Sequence, residues 1–438
     1  MEITFTKPDG KEIDGHHAQY TLAYCMMAGI HYSAGSLDMF KHRLEMTDYM
    51  RVVKREFPAN PQTKHSFKFK DYSPDIFRQV RHCFGVDSAD YMITLCGDSN
   101  YIEFMSNSKS GQFFFYSHDG RFMIKTQTKK ESKFLRRILP HYHKFVMDNP
   151  NTLVTRFYGM HRVEMQQLKA QMHFVIMASV FSTPKAIHLR FDLKGSKVGR
   201  SATAKEKARA NPVLKDNDLV DANVRLSLGP ATRALFLVQL RKDVTFLQQL
   251  NIMDYSLLVG IHKPNQEPTE SVGSDHCHTS RPTSDVEPGT PQTPHEPPST
   301  PQTPHVPETP PAPLVTRDRT GSASTPRHLR DLQHESSASP RTPKTSTASS
   351  VTGGGSIFCR DAGGMYARTP NRKRTGEIYF VGIIDILQQY NERKIAENGW
   401  KRFVYNKNDI SAVPPGHYGS RFLEFVEAHV LTPAAAQE

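Results

Sequence analysis

Between Lys263 and about Asn371 the composition turns abruptly to Pro, Ser, Thr and His, and this is what most restricts the fold. Such a stretch buries too little apolar surface to offset its ordering entropy, so a disordered insertion is expected rather than a domain. Its ten-residue near-repeat, residues 290–299 and 300–309, is low complexity and not a solenoid. Order resumes at Ile378-Tyr-Phe-Val-Gly-Ile-Ile-Asp-Ile-Leu387, which reads as a buried strand interrupted by one carboxylate, Asp385. The insertion therefore sits inside a domain. Without residues 264 to 374 about 327 residues remain, enough for two lobes.

The formal charge of +12 and the pI near 9.3 imply an acidic partner. Nucleic acid, an anionic membrane and nucleotide phosphates all qualify, and charge alone does not choose among them. Cys25, Cys83, Cys96, Cys277 and Cys359 are odd in number and contain no CxxC, so neither a disulfide framework nor a zinc site is indicated and a reducing compartment is expected. No apolar run approaches the roughly 18 residues of a membrane span, and the N-terminus lacks the apolar core of a signal peptide. Any membrane contact is expected to be peripheral.

Residues 112–126 carry the clearest local signal. Phe113-Phe-Phe-Tyr116, His118-Asp-Gly120 and Arg121-Phe-Met-Ile-Lys-Thr126 give strand, Asp-Gly turn, strand. Period two puts Phe122 and Ile124 on one face and Met123 with Lys125 on the other. Thr128-Lys-Lys-Glu131 is a capping-box pattern, followed by Phe134, Leu135, Ile138 and Leu139 at helical spacing. Glu131 fits that cap, and it also fits a partner for Lys125. Residues 67–72 alternate, and Asp90 to Leu95 reads as strand or buried helix. His173 to Phe181 predicts a buried strand, and Asn223 to Leu250 a helix with Leu235, Leu237, Val238 and Leu240. That helix delivers the chain to Asn251-Ile-Met-Asp-Tyr-Ser-Leu-Leu-Val-Gly-Ile-His262, where Asp254 stands between apolar runs. A carboxylate there is costly unless paired or used.

Phosphoryl transfer needs a cation on the nucleotide phosphates, carboxylates for Mg²⁺ and for the nucleophile, and a backbone-lined turn over the phosphates. Lys125, Asp254, Asp385 and residues 108–112 supply all four types. Their order is that of a bilobal kinase, yet G-x-G-x-x-G, H-R-D and D-F-G are absent.

The series Phe69-Lys-Asp-Tyr72, Lys109-Ser-Gly111, Met123-Ile-Lys125, Asn149-Pro-Asn-Thr152, Asp192-Leu-Lys-Gly-Ser196, Lys215-Asp-Asn-Asp218, Met253-Asp-Tyr-Ser-Leu-Leu258 and Gly382-Ile-Ile-Asp385 resembles the phosphatidylinositol phosphate kinase family. The resemblance covers about Tyr20 to Val430 apart from the insertion. It implies an α+β bilobal fold: an N-terminal lobe over 1–178, a C-terminal lobe over 179–263 and 375–432, and a disordered insertion over 264–374. It implies ATP and Mg²⁺, with Ser110, Gly111, Gln112 and Lys125 at the ATP phosphates, Lys194 as a second cation there, and backbone around Met177 at the adenine. Asp254 would face the attacking inositol hydroxyl and Asp385 would hold the metal. Two departures stand out: Ser108 and Gln112 flank the loop that the family begins with glycine, and Ala178-Ser179 replace its paired asparagines.

Arg393-Lys394-Ile-Ala-Glu397 resembles the type I pattern, in which the lipid is phosphatidylinositol 4-phosphate; type II enzymes, which are 5-phosphate 4-kinases, carry alanine at the position of Glu397. With Lys401, these residues form the expected substrate segment. Trp400 beside Lys401, Arg402, Phe403 and Tyr405 suits an anionic membrane interface. The reading is therefore a peripheral enzyme on the cytosolic face of membranes, the plasma membrane first, with no nucleic-acid partner. A homodimer is a family expectation, and the Ser/Thr-Pro sites of the insertion suit proline-directed kinases. The competing reading within the enzymes is a phosphatidylinositol 5-phosphate 4-kinase, and outside them a weakly active phosphoinositide-binding protein.

Overall fold

The computed structural model describes residues 10–35, 40–97, 101–104, 112–165, 170–264, 356–369, 371, 373–390 and 413–433. Their first sheet has eight strands: β1 (Lys11–Glu12), β2 (Val52–Phe57), β3 (Phe67–Tyr72), β4 (Ile102–Phe104), β5 (Phe114–Tyr116), β6 (Phe122–Gln127), β7 (Phe157–Met165) and β8 (Ala170–Ala178). They lie in the order β1-β4-β5-β6-β8-β7-β3-β2, every neighbouring pair antiparallel. The predicted hairpin is β5 and β6, and alternation along β6 buries Phe122 and Ile124 as expected. In β3, Phe67 and Phe69 turn inward under helix α1 (Tyr20–Ala34). A Cβ at Gly29 of α1 would lie 2.0 Å from the Phe69 ring, so the missing side chain is what lets the helix down onto the sheet.

Four more helices accompany this sheet: α2 (Met46–Met50), α3 (Pro74–Cys83), α4 (Ser88–Cys96) and α5 (Lys129–Asp148). The undecided stretch from Asp90 to Leu95 belongs to α4. Asp87 caps it by accepting from the Ala89 and Asp90 amides, a start signal that pattern alone underweighted. Helix α5 begins with the predicted capping box: Thr128 accepts from the Glu131 amide and Glu131 from the Thr128 amide.

The second sheet holds β9 (Leu189–Leu193), β10 (Val213–Leu214), β11 (Ser256–His262), β12 (Met365–Arg368) and β13 (Arg374–Ile384), in the order β10-β9-β11-β13-β12. With it come α6 (Ala204–Lys207), α7 (Asp216–Asp221), α8 (Pro230–Gln249) and α9 (Pro415–Phe425). Gly382 and Gly260 have no room for a Cβ: it would come within 2.7 Å of Val180 at the first and 2.5 Å of the Phe181 ring at the second. Those close approaches seat the chain leaving β8 on the second sheet.

Three expectations are corrected. The helix expected from Asn223 starts at Pro230. Asn223 and Gly229 hold left-handed backbone (φ 50° and 71°), and Pro230, which has no N–H to lose, opens the first turn. Within α8, Leu235 and Val238 point outward, 54% and 52% exposed, while Phe236, Leu237, Leu240, Val244 and Leu247 form the buried stripe. The insertion expected over 264–374 is too long at its end, because Ser356 to Thr369 contains a 3₁₀ turn and β12, with Met365 opposite Tyr379 on β13. Backbone pairing and the buried side chains Phe358, Met365 and Ala367 outweigh the glycine-rich, polar composition there. Residues 265–355 of the expected insertion lie outside the described residues.

Candidate active site

Three neighbouring strands of the second sheet end together. Leu193 at the end of β9 pairs with Leu257 on β11, and Ser256 on β11 pairs with Ile384 at the end of β13. Lys194 follows β9, Asp254 lies just ahead of β11 and Asp385 follows β13, so one sheet edge gathers a cation and two acids. The link from α8 into β11 is zipped to the chain after β13 by the Met253 amide on the Gln388 carbonyl (3.1 Å) and the Tyr390 amide on the Asn251 carbonyl (3.0 Å). Asp254 and Asp385 both hold left-handed backbone, with φ 65° and 62°. Aspartate tolerates this region better than most residues, and strain of this kind concentrates at working sites.

Lysine 125 reaches that edge from the first sheet. Its Nζ donates to Asp385 Oδ1 at 2.6 Å and lies 5.1 Å from the centre of the Phe114 ring. The lysine side chain is 13% exposed and the carboxylate 42%, so the pair faces an opening from which the lysine is largely sheltered. Burial pushes the Asp385 carboxyl up, and Lys125 and then Lys194 outweigh that and hold it below the usual carboxylate range.

Lysine 194 forms the second pair. Its Nζ donates to the Asp254 carbonyl at 2.7 Å and to Asp254 Oδ1 at 2.9 Å. Desolvation opposes its charge, but Asp254 and then Asp192 outweigh it, so the ammonium is held above the ordinary lysine range. Asp385 also acts on Lys194 and Asp254 on Asp385, which makes the two pairs one electrostatic group.

Sequence reasoning missed what holds Lys194. Asp216, essentially buried, accepts from the Lys194 amide (2.8 Å) and the Gly195 amide (2.7 Å), and from Arg200 Nε (2.6 Å). Arg200 also grips the Asp192 carboxylate at 2.6 Å, and Asp192 accepts from Ser256 Oγ at 3.0 Å. The turn needs Gly195, at φ 65°, where a Cβ would sit 3.0 Å from the Phe422 backbone of α9. The two opposite charges before a glycine were the visible signal; Arg200 and Asp216 carried none without the fold.

The other predicted residues separate. Met177, on β8 opposite Met123, shares the face of Lys125 and is 7% exposed. Gln112 donates to Glu131 at 2.9 Å. Glu131 thus serves the helix cap and Gln112, and Lys125 takes Asp385 as its partner instead. Ser110, Gly111, Arg393, Lys394, Glu397, Trp400 and Lys401 lie outside the described residues.

No group of three or more His, Cys, Asp or Glu side chains that could hold a metal ion occurs among the described residues. Asp385 and Asp254 nevertheless fit Mg²⁺, which takes one or two carboxylates and completes its shell with water and substrate phosphates. Both acids sit at the same strand edge, and Asp385 is the more open to solvent.

The sequence model of the family described as Phosphatidylinositol-4-phosphate 5-Kinase matches residues 95–429. The chain is 38% identical over 375 residues to a probable phosphatidylinositol phosphate kinase of Dictyostelium discoideum, an alignment covering 84% of this chain and 48% of that one. It is 34% identical over 429 residues to a phosphatidylinositol 4-phosphate 5-kinase of Schizosaccharomyces pombe, covering 96% and 55%. A third relative, phosphatidylinositol 4-phosphate 5-kinase 9 of Arabidopsis thaliana, is 36% identical over 442 residues, covering 96% and 52%. The chain spans about half the length of these curated relatives.

Proposed function

The chain belongs to the phosphatidylinositol-4-phosphate 5-kinase family, and we propose that it transfers the γ-phosphate of ATP to the 5-hydroxyl of phosphatidylinositol 4-phosphate, giving the 4,5-bisphosphate. The observation that carries this is the meeting of two lysine–carboxylate pairs, Lys125–Asp385 and Lys194–Asp254, at one strand edge. The hydroxyl oxygen bonds to the γ-phosphorus as the bond to the ADP oxygen breaks, and the hydroxyl proton leaves toward Asp254. A loose transition state asks for positioning and for cations on the phosphoryl oxygens more than for a strong base. Lys194, bonded to both the carbonyl and the carboxylate of Asp254, fixes where that carboxylate points and adds positive charge beside it. Lys125 serves the nucleotide phosphates. Asp385 would hold Mg²⁺, which would neutralise phosphate charge.

The reading includes a peripheral enzyme on the cytosolic leaflet, the plasma membrane first; a lipid substrate and the basic composition support it. No helix among the described residues is long and apolar enough to cross a membrane. The test offers labelled ATP and Mg²⁺ with vesicles carrying each monophosphorylated phosphatidylinositol in turn. The 4-phosphate should be the best acceptor, with transfer abolished by Asp385→Asn. Better transfer to the 5-phosphate, or transfer unaffected by Asp385→Asn, overturns the reading.

A further inference from the structure

Apart from the strand-edge site, a cavity of about 260 Å³ lies where the chain leaving β8 meets the segment re-entering before β12. It is lined among others by Phe84, Arg156, Ser182, Ser356 and Cys359. One wall is the strand pairing that continues into the catalytic edge: Val154 bridges Ile383, and the Thr155 amide and hydroxyl both donate to the Ile383 carbonyl at 2.9 and 2.7 Å. The segment that contributes Ser356, Phe358 and Cys359 is tied down by the Ile357 amide on Asn151 Oδ1 at 2.9 Å.

The Arg156 guanidinium packs over the Phe84 ring at 4.5 Å, its Nε is buried without a hydrogen-bond partner, and no carboxylate among the described residues forms an ion pair with it. The Cys359 thiol and the Tyr158 hydroxyl stand beside it, and the buried Asp243 carboxylate acts on it from beyond ion-pair distance. Asp90, the carboxylate lining the cavity, is gripped by two guanidinium nitrogens of Arg121 at 2.6 and 2.9 Å. A cation withdrawn from bulk water is stable when an anion reaches it, and a guanidinium presents its donors in the geometry that phosphate oxygens accept. At roughly 30 Å³ per water the cavity has room for about nine waters, which is enough for one phosphate group and part of its carrier.

We infer that this cavity is a second anion site, in which Arg156, with the Ser356 and Ser182 hydroxyls nearby, binds a phosphate group separately from the catalytic edge. Free phosphate and an inositol phosphate headgroup share the chemistry. The inference does not rest on the proposed kinase reaction, since the cavity would bind the group without transferring it.

The thiol of Cys359 supplies a local readout in the unmodified full chain, being free, partly exposed and on the cavity wall. Its alkylation by iodoacetamide, followed by peptide mass spectrometry, is measured in inorganic phosphate, in inositol 1,4-bisphosphate and in chloride of equal ionic strength. At least fivefold slower alkylation is expected in saturating phosphate than in chloride. Protection by the inositol bisphosphate at lower concentration assigns the headgroup as the source, and protection by phosphate alone assigns the free ion. Arg156→Gln should abolish the protection, whereas Lys125→Met should leave it intact. Equal rates in phosphate and chloride with the wild-type chain overturn the inference, as does full protection in Arg156→Gln; the wild-type comparison decides even if that variant does not fold.

Discussion

Asp254 and Asp385 flank the ends of neighbouring strands, each in left-handed backbone and each bonded to a lysine drawn from a different sheet position. Conformation and charge can therefore be separated by substitution. Asp254→Asn and Asp385→Asn keep a residue suited to φ near 60°, so they remove charge without adding backbone strain, and kcat should fall on the order of 10²- to 10³-fold. Asp254→Ala should lose activity similarly and cost about 1 kcal/mol more than Asp254→Asn, a further fall of roughly 1–2 °C in a domain of about 300 residues. Calorimetry beside a lipid kinase assay checks both. Equal midpoints for the alanine and asparagine variants would show that the backbone there carries no strain.

Arg200 belongs to neither lysine–carboxylate pair, yet it joins Asp192 and Asp216, the acids that frame the Lys194 turn. Removing it leaves Asp216, 1% exposed, without its cation, which should cost about 3 kcal/mol. Arg200→Lys keeps the charge but cannot span two carboxylates, so stability should largely return while kcat stays depressed and KM for ATP changes little. A lysine variant with wild-type kcat would reduce Arg200 to a structural role.

His173 gives a pH dependence with a defined sign. It is 8% exposed, bonded to Ser132 at 3.0 Å, and held down to a pKa of about 4, first by burial and then by Arg162, Lys129, Arg136 and Lys70. A histidine lowered on folding stays neutral in the folded state while the unfolded chain takes up a proton, so stability is lost as pH falls from about 6.5 through 4. The full difference approaches about 3 kcal/mol. Asp243 works the opposite way: burial raises it to about 6, so its contribution declines as pH rises from its ordinary value through 6. The two slopes oppose each other, and wild-type stability should vary little between pH 4 and 6 on their account. In His173→Gln the Asp243 slope should be exposed, with the variant gaining on wild type as pH falls. Urea titrations at several pH values measure the difference; parallel curves would refute it.

Much of the site could be read from residue types and order. Lys125 lies in a hairpin specified by local chemistry, an Asp-Gly turn between alternating strands, and such signals survive without tertiary context. The pairing of Lys125 with Asp385 joins residues 260 positions apart and depends on two sheets meeting, so Glu131, three residues after a cap threonine, looked equally suitable. The failures were of one kind. Leu235 and Val238 fit a helical period but not the buried stripe, and residues 356–369 look polar but pair with β13. Local pattern does not say which neighbour will arrive.

We propose that lipid choice resides in Arg393, Lys394, Glu397 and Lys401 and not in the two lysine–carboxylate pairs, which would serve any phosphoinositide. Glu397→Ala should therefore shift preference toward phosphatidylinositol 5-phosphate while activity toward a shared poor acceptor changes less than about threefold. The cations of the same segment act by a different route. Each lysine or arginine near an anionic surface contributes about 1 kcal/mol, so Arg393→Ala, Lys394→Ala, Lys401→Ala and Arg402→Ala should each lower vesicle partitioning about fivefold at low salt and less at high salt. Trp400 reports the same event, and its emission should blue-shift on vesicles containing phosphatidylserine and remain unchanged on neutral ones. Unchanged emission on both, together with partitioning insensitive to the four substitutions, would place the membrane-binding surface elsewhere on the chain.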